Sequence, residues 1–240
     1  MNRLKDVKKC ILSVLEGGDI LFVIPPFASI KSTFFGPHIL QNIAHEKGFK
    51  ADVLYLNILF ASIIGPEFAE SIGISKFFQS WDMVGERLFA RSAYGLPPLG
   101  QSPEFFNNEG MSISGEGYAH RKMDYEIDEL EPGKFYKLEE VCKSFVDEVV
   151  NVIAGLDYKI TGCTTRVGQT NCAIAIIDGI KRIQPEKITI IGGINCQGEM
   201  AEGIASLSDS IDYVFSGESE YSFSNFLNGY SVKQLPLERI

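Results

Sequence analysis

The sequence predicts a doubly wound α/β domain whose core is a mostly parallel, five-stranded sheet. Two apolar runs, at 187–191 and 211–215, are rich in β-branched residues and end abruptly in small residues. Runs of this kind are typical of parallel strands that helices cover on both faces. Five such strands are each followed by a helical pattern, and no hairpin signal separates them. This alternation favours a flavodoxin-like, Rossmann-like strand order.

The first elements of the chain predict one βαβ unit. Apolar residues repeat at helical spacing within residues 1–18, which we interpret as a lead-in helix. A strand at 19–24 must end at the two prolines that follow it, because proline cannot donate to a hydrogen-bond ladder. Pro37, at a first helical position, opens the next helix, and residues 51–56 form the second strand.

After the second strand the alternation stops, and we predict a helical and irregular insertion at 58–137. Short helices are expected at 67–78 and 81–93, before a segment without sustained periodicity. Irregular segments of this length inside a compact domain are usually functional or disordered. Regularity returns with a long helix that ends at Gly155. The last elements are predicted as strands at 158–163, 187–191 and 211–215, helices at 168–183, 198–207 and 219–227, and a tail at 228–240.

Composition and charge exclude several classes of protein. A hydrophobic share of 45% and a charged share of 22% are those of an ordinary globular protein. The net charge of −9 comes without a concentrated basic stripe, so nucleic acid is not expected as a main partner. No apolar run approaches the length of a membrane span, and charges are scattered where a signal peptide would be apolar. We therefore expect a cytoplasmic protein.

Motifs for several common cofactors are missing from the sequence. The chain has five cysteines but neither a C-x-x-C pair nor a C-x-x-x-C-x-x-C triplet, so no zinc ribbon or radical-type iron–sulfur loop is predicted. No G-x-G-x-x-G follows the first strand and no G-x-x-x-x-G-K-S/T occurs, which argues against dinucleotides and nucleoside triphosphates. We interpret the cysteines as small buried hydrophobic residues, with Cys163 and Cys196 near strand ends.

Candidate ligand-binding residues lie in the segments that follow the strands, at the carboxyl edge where parallel sheets bind ligands. Hydroxyl groups, glycines and backbone amides at helix starts suit a ligand that bears amides or a phosphate, because they donate hydrogen bonds without steric bulk. Tight strand-to-helix turns alone would also explain the glycines. The predicted cofactor-binding residues are Pro25, Pro26, Phe27, Thr164, Thr165, Gly192, Gly193, Ser216, Gly217 and Glu218. Asn57 holds the corresponding position after the second strand.

No catalytic or metal-ligating set is predicted. His45 and Gly48 look like half of a cobalt-ligating D-x-H-x-x-G motif, but Ile43 stands at the Asp position and the pair lies at a helix end. We interpret His45 as a helix-face residue and His38 as a capping or packing residue. Glu218 and its neighbours at helix starts complement the helix dipole. The spacing supports no Ser/His/Asp or Cys/His nucleophilic set.

The ordered set of strand segments resembles one family over nearly the whole chain, from about residue 19 to residue 227. The segments are ILFVIPPF, VLYLN, TGCTTRVGQTNCAIAIIDGIK, IIGGINCQGEM and DYVFSGESE, and a W…ERLFA run follows the second strand at 81–90. Together they resemble the N-terminal cobalamin-binding-type domain of radical S-adenosylmethionine (SAM) enzymes. The resemblance is nearest to the subgroup that matures ribosomally made peptides (RiPPs).

This resemblance implies a cobalamin over the carboxyl edge of the sheet, with its nucleotide tail beside Gly192-Gly193. Thr164 and Thr165 would face the corrin or its tail, and Gly217 and Glu218 would border the same pocket. Many relatives bind the cofactor without a histidine below cobalt. Family members carry a following barrel that holds a [4Fe-4S] cluster and S-adenosylmethionine. This chain stops before such a barrel, so we do not expect it to perform radical methylation alone.

Two hypotheses from different classes follow. In the first, the chain is the cobalamin-binding module of a radical SAM peptide C-methyltransferase or RiPP maturase, with the barrel and a precursor peptide as partners. In the second, the domain has lost the corrin and acts as a scaffold or as a peptide-recognition domain. A third interpretation is a flavodoxin-like domain for another phosphorylated ligand. Absorbance after mixing with hydroxocobalamin separates the first two.

Overall fold

A computed structural model describes residues 6–74, 84–99 and 132–234 of the chain. Its core is a five-stranded sheet in the order β2-β1-β3-β4-β5, and every neighbouring pair is parallel. The predicted doubly wound fold with flavodoxin-like strand order is therefore confirmed. The strands are β1 (Ile20–Ile24), β2 (Ala51–Tyr55), β3 (Ile160–Thr164), β4 (Ile188–Gly192) and β5 (Tyr213–Phe215).

Helices follow every strand of the sheet. Among the described residues they are α1 (Val7–Val14), α2 (Phe35–Glu46), α3 (Leu56–Ile64), α4 (Pro66–Ile74), α5 (Val84–Tyr94), α6 (Pro132–Ala154), α7 (Thr170–Ile183), α8 (Met200–Ser206) and α9 (Glu220–Ser231). Within the described ranges, no helix combines the length and the apolar character that crossing a bilayer requires.

Two hydrophobic cores lie on the opposite faces of the sheet. On one face, Phe22 and Phe215 of the sheet pack with Phe223 and Phe226 of α9, and Ala44 of α2 joins this cluster. The larger cluster on the other face combines α1 with α3 to α8. Within the described ranges, α2 and α9 are the helices that pack on the face of Phe22 and Phe215.

Several boundaries differ from those predicted. Pro37 is the third residue of α2 and not the first, because the helix begins at Phe35. Leu56, predicted as the last residue of the second strand, is instead the first residue of α3. Helix α9 continues through Ser231, into the segment predicted as a tail. Parts of the predicted helices at 67–78 and 81–93, and the irregular segment with His120, lie outside the described residues.

Candidate functional site

A cavity of about 200 Å³ opens at the carboxyl edge of the sheet, on the face that α2 and α9 cover. Strands β3, β4 and β5 form its floor, and the first turns of α2 and α9 form its walls. The lining residues are Phe22, Gly36, Pro37, Leu40, Gly162, Cys163, Thr164, Ile190, Ile191, Gly192, Gly193, Phe215, Gly217, Glu218, Ser219 and Glu220.

Two glycines of the strands line this cavity. Side chains of a strand alternate between the two faces of a sheet, so Gly162 and Thr164 of β3 face the same helices. A Cβ atom at Gly162 would lie 2.9 Å from Cγ1 of Ile190 and 3.3 Å from a ring carbon of Phe22. At Gly192, an added Cβ atom would meet only Phe215, at 3.6 Å. Gly192 therefore leaves space in the cavity, whereas Gly162 lets the side chains of Ile190 and Phe22 pack closely against β3.

The two adjacent threonines have different environments. Oγ1 of Thr164 is buried and has no hydrogen-bond partner, and Thr164 lines the cavity. Thr165 is 1% exposed, and its hydroxyl donates to the carbonyl oxygen of Gly192 at 3.1 Å. The same hydroxyl lies 3.4 Å from Sγ of Cys196. Thr164 can therefore bond to a ligand, whereas Thr165 joins the loops that follow β3 and β4.

Substitution of these threonines should have opposite effects on stability. Thr164→Val is expected to raise the free energy of unfolding by about 1 kcal/mol, because it removes a desolvated hydroxyl at nearly constant shape. Thr165→Val is expected to lower it by about 1 kcal/mol, because a satisfied hydrogen bond is lost. Urea unfolding of the two variants measures both changes. Changes of equal sign would contradict the different roles of the two hydroxyl groups.

Carboxylates dominate the charge at the mouth of the cavity. Glu218 and Glu220 line it and are exposed, and Ser219 between them is the N-cap residue of α9. The hydroxyl of Ser219 donates to the carbonyl oxygen of Gly217 at 3.2 Å. Among the described residues that line the cavity, none is lysine, arginine or histidine. The site therefore offers no cation to a phosphate.

Exposed apolar side chains lie next to lining residues in the chain. Phe35 is 71% exposed beside Gly36, Ile194 is 67% exposed beside Gly193, and Tyr221 is 80% exposed beside Glu220. Val167, in the loop after β3, is 45% exposed. These side chains are neighbours of the lining residues in sequence, and exposed apolar groups beside a cavity can contribute to the binding of a ligand.

Five of the predicted residues line the cavity, and five do not. The lining residues are Thr164, Gly192, Gly193, Gly217 and Glu218. Outside the lining lie Pro25, Pro26, Phe27, Thr165 and Ser216.

The segment after β1 packs on the opposite face of the sheet. Phe27 is 2% exposed, and its ring packs against the rings of Phe60 and Phe89. The carbonyl oxygen of Pro25 accepts a hydrogen bond from the side-chain amide of Gln169 at 2.6 Å. The side chain of Asn57, in α3, is directed at the carbonyl oxygens of the same segment. These residues support the carboxyl edge from the other face and do not line the cavity.

A buried carboxylate that the sequence did not indicate holds the loop after β3. Glu86 of α5 is 6% exposed and accepts the backbone N–H groups of Gly168, Thr170 and Asn171 at 3.1, 3.0 and 2.6 Å. Burial raises the pKa of Glu86, and these hydrogen bonds partly oppose that rise. The amino end of α7, where a doubly wound domain could hold a phosphate, is thus filled by a side chain of the protein.

The thiols and imidazoles near the site are structural. Burial raises the pKa of the Cys163 thiol to about 12, so this group is a thiol at neutral pH. His38 hydrogen-bonds Gln41 and Tyr55 at 3.0 and 2.8 Å, outside the cavity. Across the part of the chain that the structure describes, no three His, Cys, Asp or Glu residues form a group that could hold a metal ion.

The fold and the site define a doubly wound α/β domain with a cavity of about 200 Å³ at the carboxyl edge of its sheet. Comparisons with protein-family models, with curated proteins and with solved structures give no match for this chain.

Proposed function

We propose that this chain is the cobalamin-binding module of a radical SAM enzyme of the peptide C-methyltransferase or RiPP maturase type. The observation that carries the proposal is the cavity between the sheet and helices α2 and α9, with glycines in its floor and an unpartnered hydroxyl in its wall. The strand order and the sequence segments that surround this cavity are those expected for such a module.

The residues present fit a cobamide that places the base of its nucleotide tail in the cavity and keeps the phosphate of that tail outside it. Gly192 leaves room for a ring against the strands, and Oγ1 of Thr164 can donate to it. The exposed side chains of Phe35, Val167, Ile194 and Tyr221 would be covered by the macrocycle. The carboxylates of Glu218 and Glu220 can accept hydrogen bonds from its peripheral amides.

When bound, cobalamin supplies a cobalt centre that can carry a methyl group. In this proposal the chain would hold and orient the cofactor. A barrel domain with a [4Fe-4S] cluster and S-adenosylmethionine would supply the radical chemistry, and a precursor peptide would be the substrate.

The test is the absorbance of the purified chain after mixing with hydroxocobalamin and removal of free corrin. A retained and shifted corrin spectrum is expected. Gly192→Leu, which fills the cavity, should weaken binding by at least about tenfold. Gly203→Leu is the matched control, because Gly203 lies in α8 with nothing within 4 Å of an added Cβ atom, and it should bind as the parent chain does.

A colourless protein would overturn the proposal and favour the domain that has lost the corrin. Equal binding by the Gly192→Leu and Gly203→Leu variants would show that the corrin sits elsewhere. Circular dichroism of both variants establishes that the comparison is made between folded proteins.

A further inference from the structure

We propose that Glu70 is a positioning residue for the candidate site. Glu70 belongs to α4, which packs on the face of the sheet opposite to the cavity. It fixes the loop between β1 and α2 (residues 25–34), and that loop sets the position of the first turn of α2 at the cavity wall. This inference deepens the proposed function and rests on it for the ligand that its second test uses.

Both oxygens of the Glu70 carboxylate bind this loop. Glu70 is 6% exposed, and its Oε1 accepts a hydrogen bond from the hydroxyl of Ser29 at 2.6 Å. Its Oε2 accepts the backbone N–H of Ile30 at 2.8 Å. The hydroxyl oxygen of Ser29 in turn accepts the backbone N–H of Lys31 at 3.2 Å. Because two oxygens of one side chain hold adjacent residues, the loop is fixed in both position and direction at this point.

The loop supplies the groups that stabilise the buried carboxylate. Among the described residues, no ion pair includes Glu70. A buried carboxylate without a cation depends on the hydrogen bonds that it accepts, because burial removes most of its water. The donors of Ser29 and Ile30 therefore stabilise this charge, and the loop cannot separate from Glu70 without leaving the carboxylate and both donors unpaired.

The loop passes from one face of the sheet to the other at the point that Glu70 holds. Before this point, Phe27 is buried in the hydrophobic cluster of the face on which α4 packs. After it, residues 31–33 are exposed, and α2 follows on the cavity face. Gly36 and Pro37, in the first turn of α2, line the cavity. Glu70 is thus a buried anchor from which a short exposed stretch leads into the cavity wall.

This connection lets the segment inserted after β2 act on a site that it does not line. None of the described lining residues belongs to the insertion at 58–137, and Glu70 itself is not among them. A wall that is held in place before a ligand arrives lowers the ordering that binding requires. Release of the loop should therefore weaken ligand binding although Glu70 lies outside the cavity.

Tryptic cleavage followed by mass spectrometry tests whether Glu70 holds the loop. The bond after Lys31 lies in the exposed stretch, whereas Lys187 is 5% exposed at the start of β4 and is cleaved when the sheet opens. Glu70→Leu removes both acceptors, and it should raise the cleavage rate after Lys31 at least about tenfold more than the rate after Lys187. Glu67→Leu, at an exposed position in the first turn of α4, should change neither rate.

Two milder variants grade the same effect. Ser29→Ala removes one of the two donors and should raise the rate after Lys31 about threefold. Glu70→Gln keeps an oxygen for the N–H of Ile30 and gains an amide N–H that the oxygen of Ser29 can accept, so it should lie closer to the parent chain than Glu70→Leu does. Rates after Lys31 and Lys187 that rise in equal proportion in Glu70→Leu would show a contribution to overall stability alone and would overturn the inference.

Titration with hydroxocobalamin tests the connection between the loop and the cavity wall. Glu70→Leu should bind the corrin at least about fivefold more weakly than the parent chain, with partial recovery in Glu70→Gln and parental affinity in Glu67→Leu. Parental affinity in Glu70→Leu, together with fast cleavage after Lys31, would contradict the positioning of the wall by the loop. A parent chain that binds no hydroxocobalamin would overturn the proposed function, whereas the ratio of the two cleavage rates would still decide whether Glu70 holds the loop.

Discussion

Replacement of Glu86 by glutamine is expected to lower the free energy of unfolding by about 3 kcal/mol. The carboxylate accepts three backbone N–H groups at the start of α7, and a glutamine amide would place a donor against at least one of them. Each buried N–H that loses its acceptor costs about 1–3 kcal/mol. Urea unfolding followed by circular dichroism measures the change.

Glu202→Gln is the matched control for this substitution. Glu202 is exposed in the first turn of α8, so its replacement should alter stability by less than about 0.5 kcal/mol. Glu86→Asp keeps the charge but shortens the side chain, and we expect it to destabilise as well. If Glu86→Gln were as stable as Glu202→Gln, the three hydrogen bonds would not hold α5 against the loop after β3.

Gly193→Ala should destabilise the protein by about 3 kcal/mol or more. Gly193 has a φ of 120°, which strains any residue with a side chain. An added Cβ atom would also lie 2.4 Å from the carbonyl oxygen of Thr165 and 2.8 Å from its nitrogen. Backbone atoms on both sides of this contact cannot move without breaking the hydrogen bond from Thr165 N to Gly192 O, which measures 2.7 Å.

Gly192→Ala provides the comparison one residue earlier in the chain. Its Cβ atom would meet Phe215 at 3.6 Å, an ordinary van der Waals distance, and no positive φ restricts it. Thermal unfolding should therefore show that Gly192→Ala changes the free energy of unfolding by less than about 1 kcal/mol. If both variants lost stability to a similar, large extent, the whole turn would be intolerant of side chains. The close contact between Gly193 and the backbone of Thr165 would then not be the specific cause.

The two faces of the sheet differ in structure at its carboxyl edge. On one face, Glu86, Phe27 and Gln169 fix the loops after β1 and β3 with buried groups. On the other face, the glycines and Thr164 leave a space that no side chain of the described residues fills. A rigid support beneath a preformed cavity reduces the ordering that a ligand must impose when it binds.

The parallel sheet could be predicted from the sequence because its signals are local. Buried β-branched runs, the small residues after them and the alternating helical patterns all lie within about 15 residues of each other. The same signals placed Thr164, Gly192 and Gly217 at the carboxyl edge, and the structure places them at the cavity. Gly162, inside a buried strand, is a further local signal, because a glycine at such a position often marks the close approach of neighbouring groups to the strand.

Tertiary structure alone decided which face of that edge is open. The alternation of side chains along β3 places Thr164 on the side of α2 and α9. Nothing local in the sequence indicates that, in the part of the chain that the structure describes, these two helices pack on that side and α5 packs on the other. Glu86 meets Gly168 across 82 residues of chain, and this pairing leaves no periodic trace in the sequence. Strand ends follow from neighbouring residues, whereas cavities and buried carboxylate contacts follow from how distant segments pack.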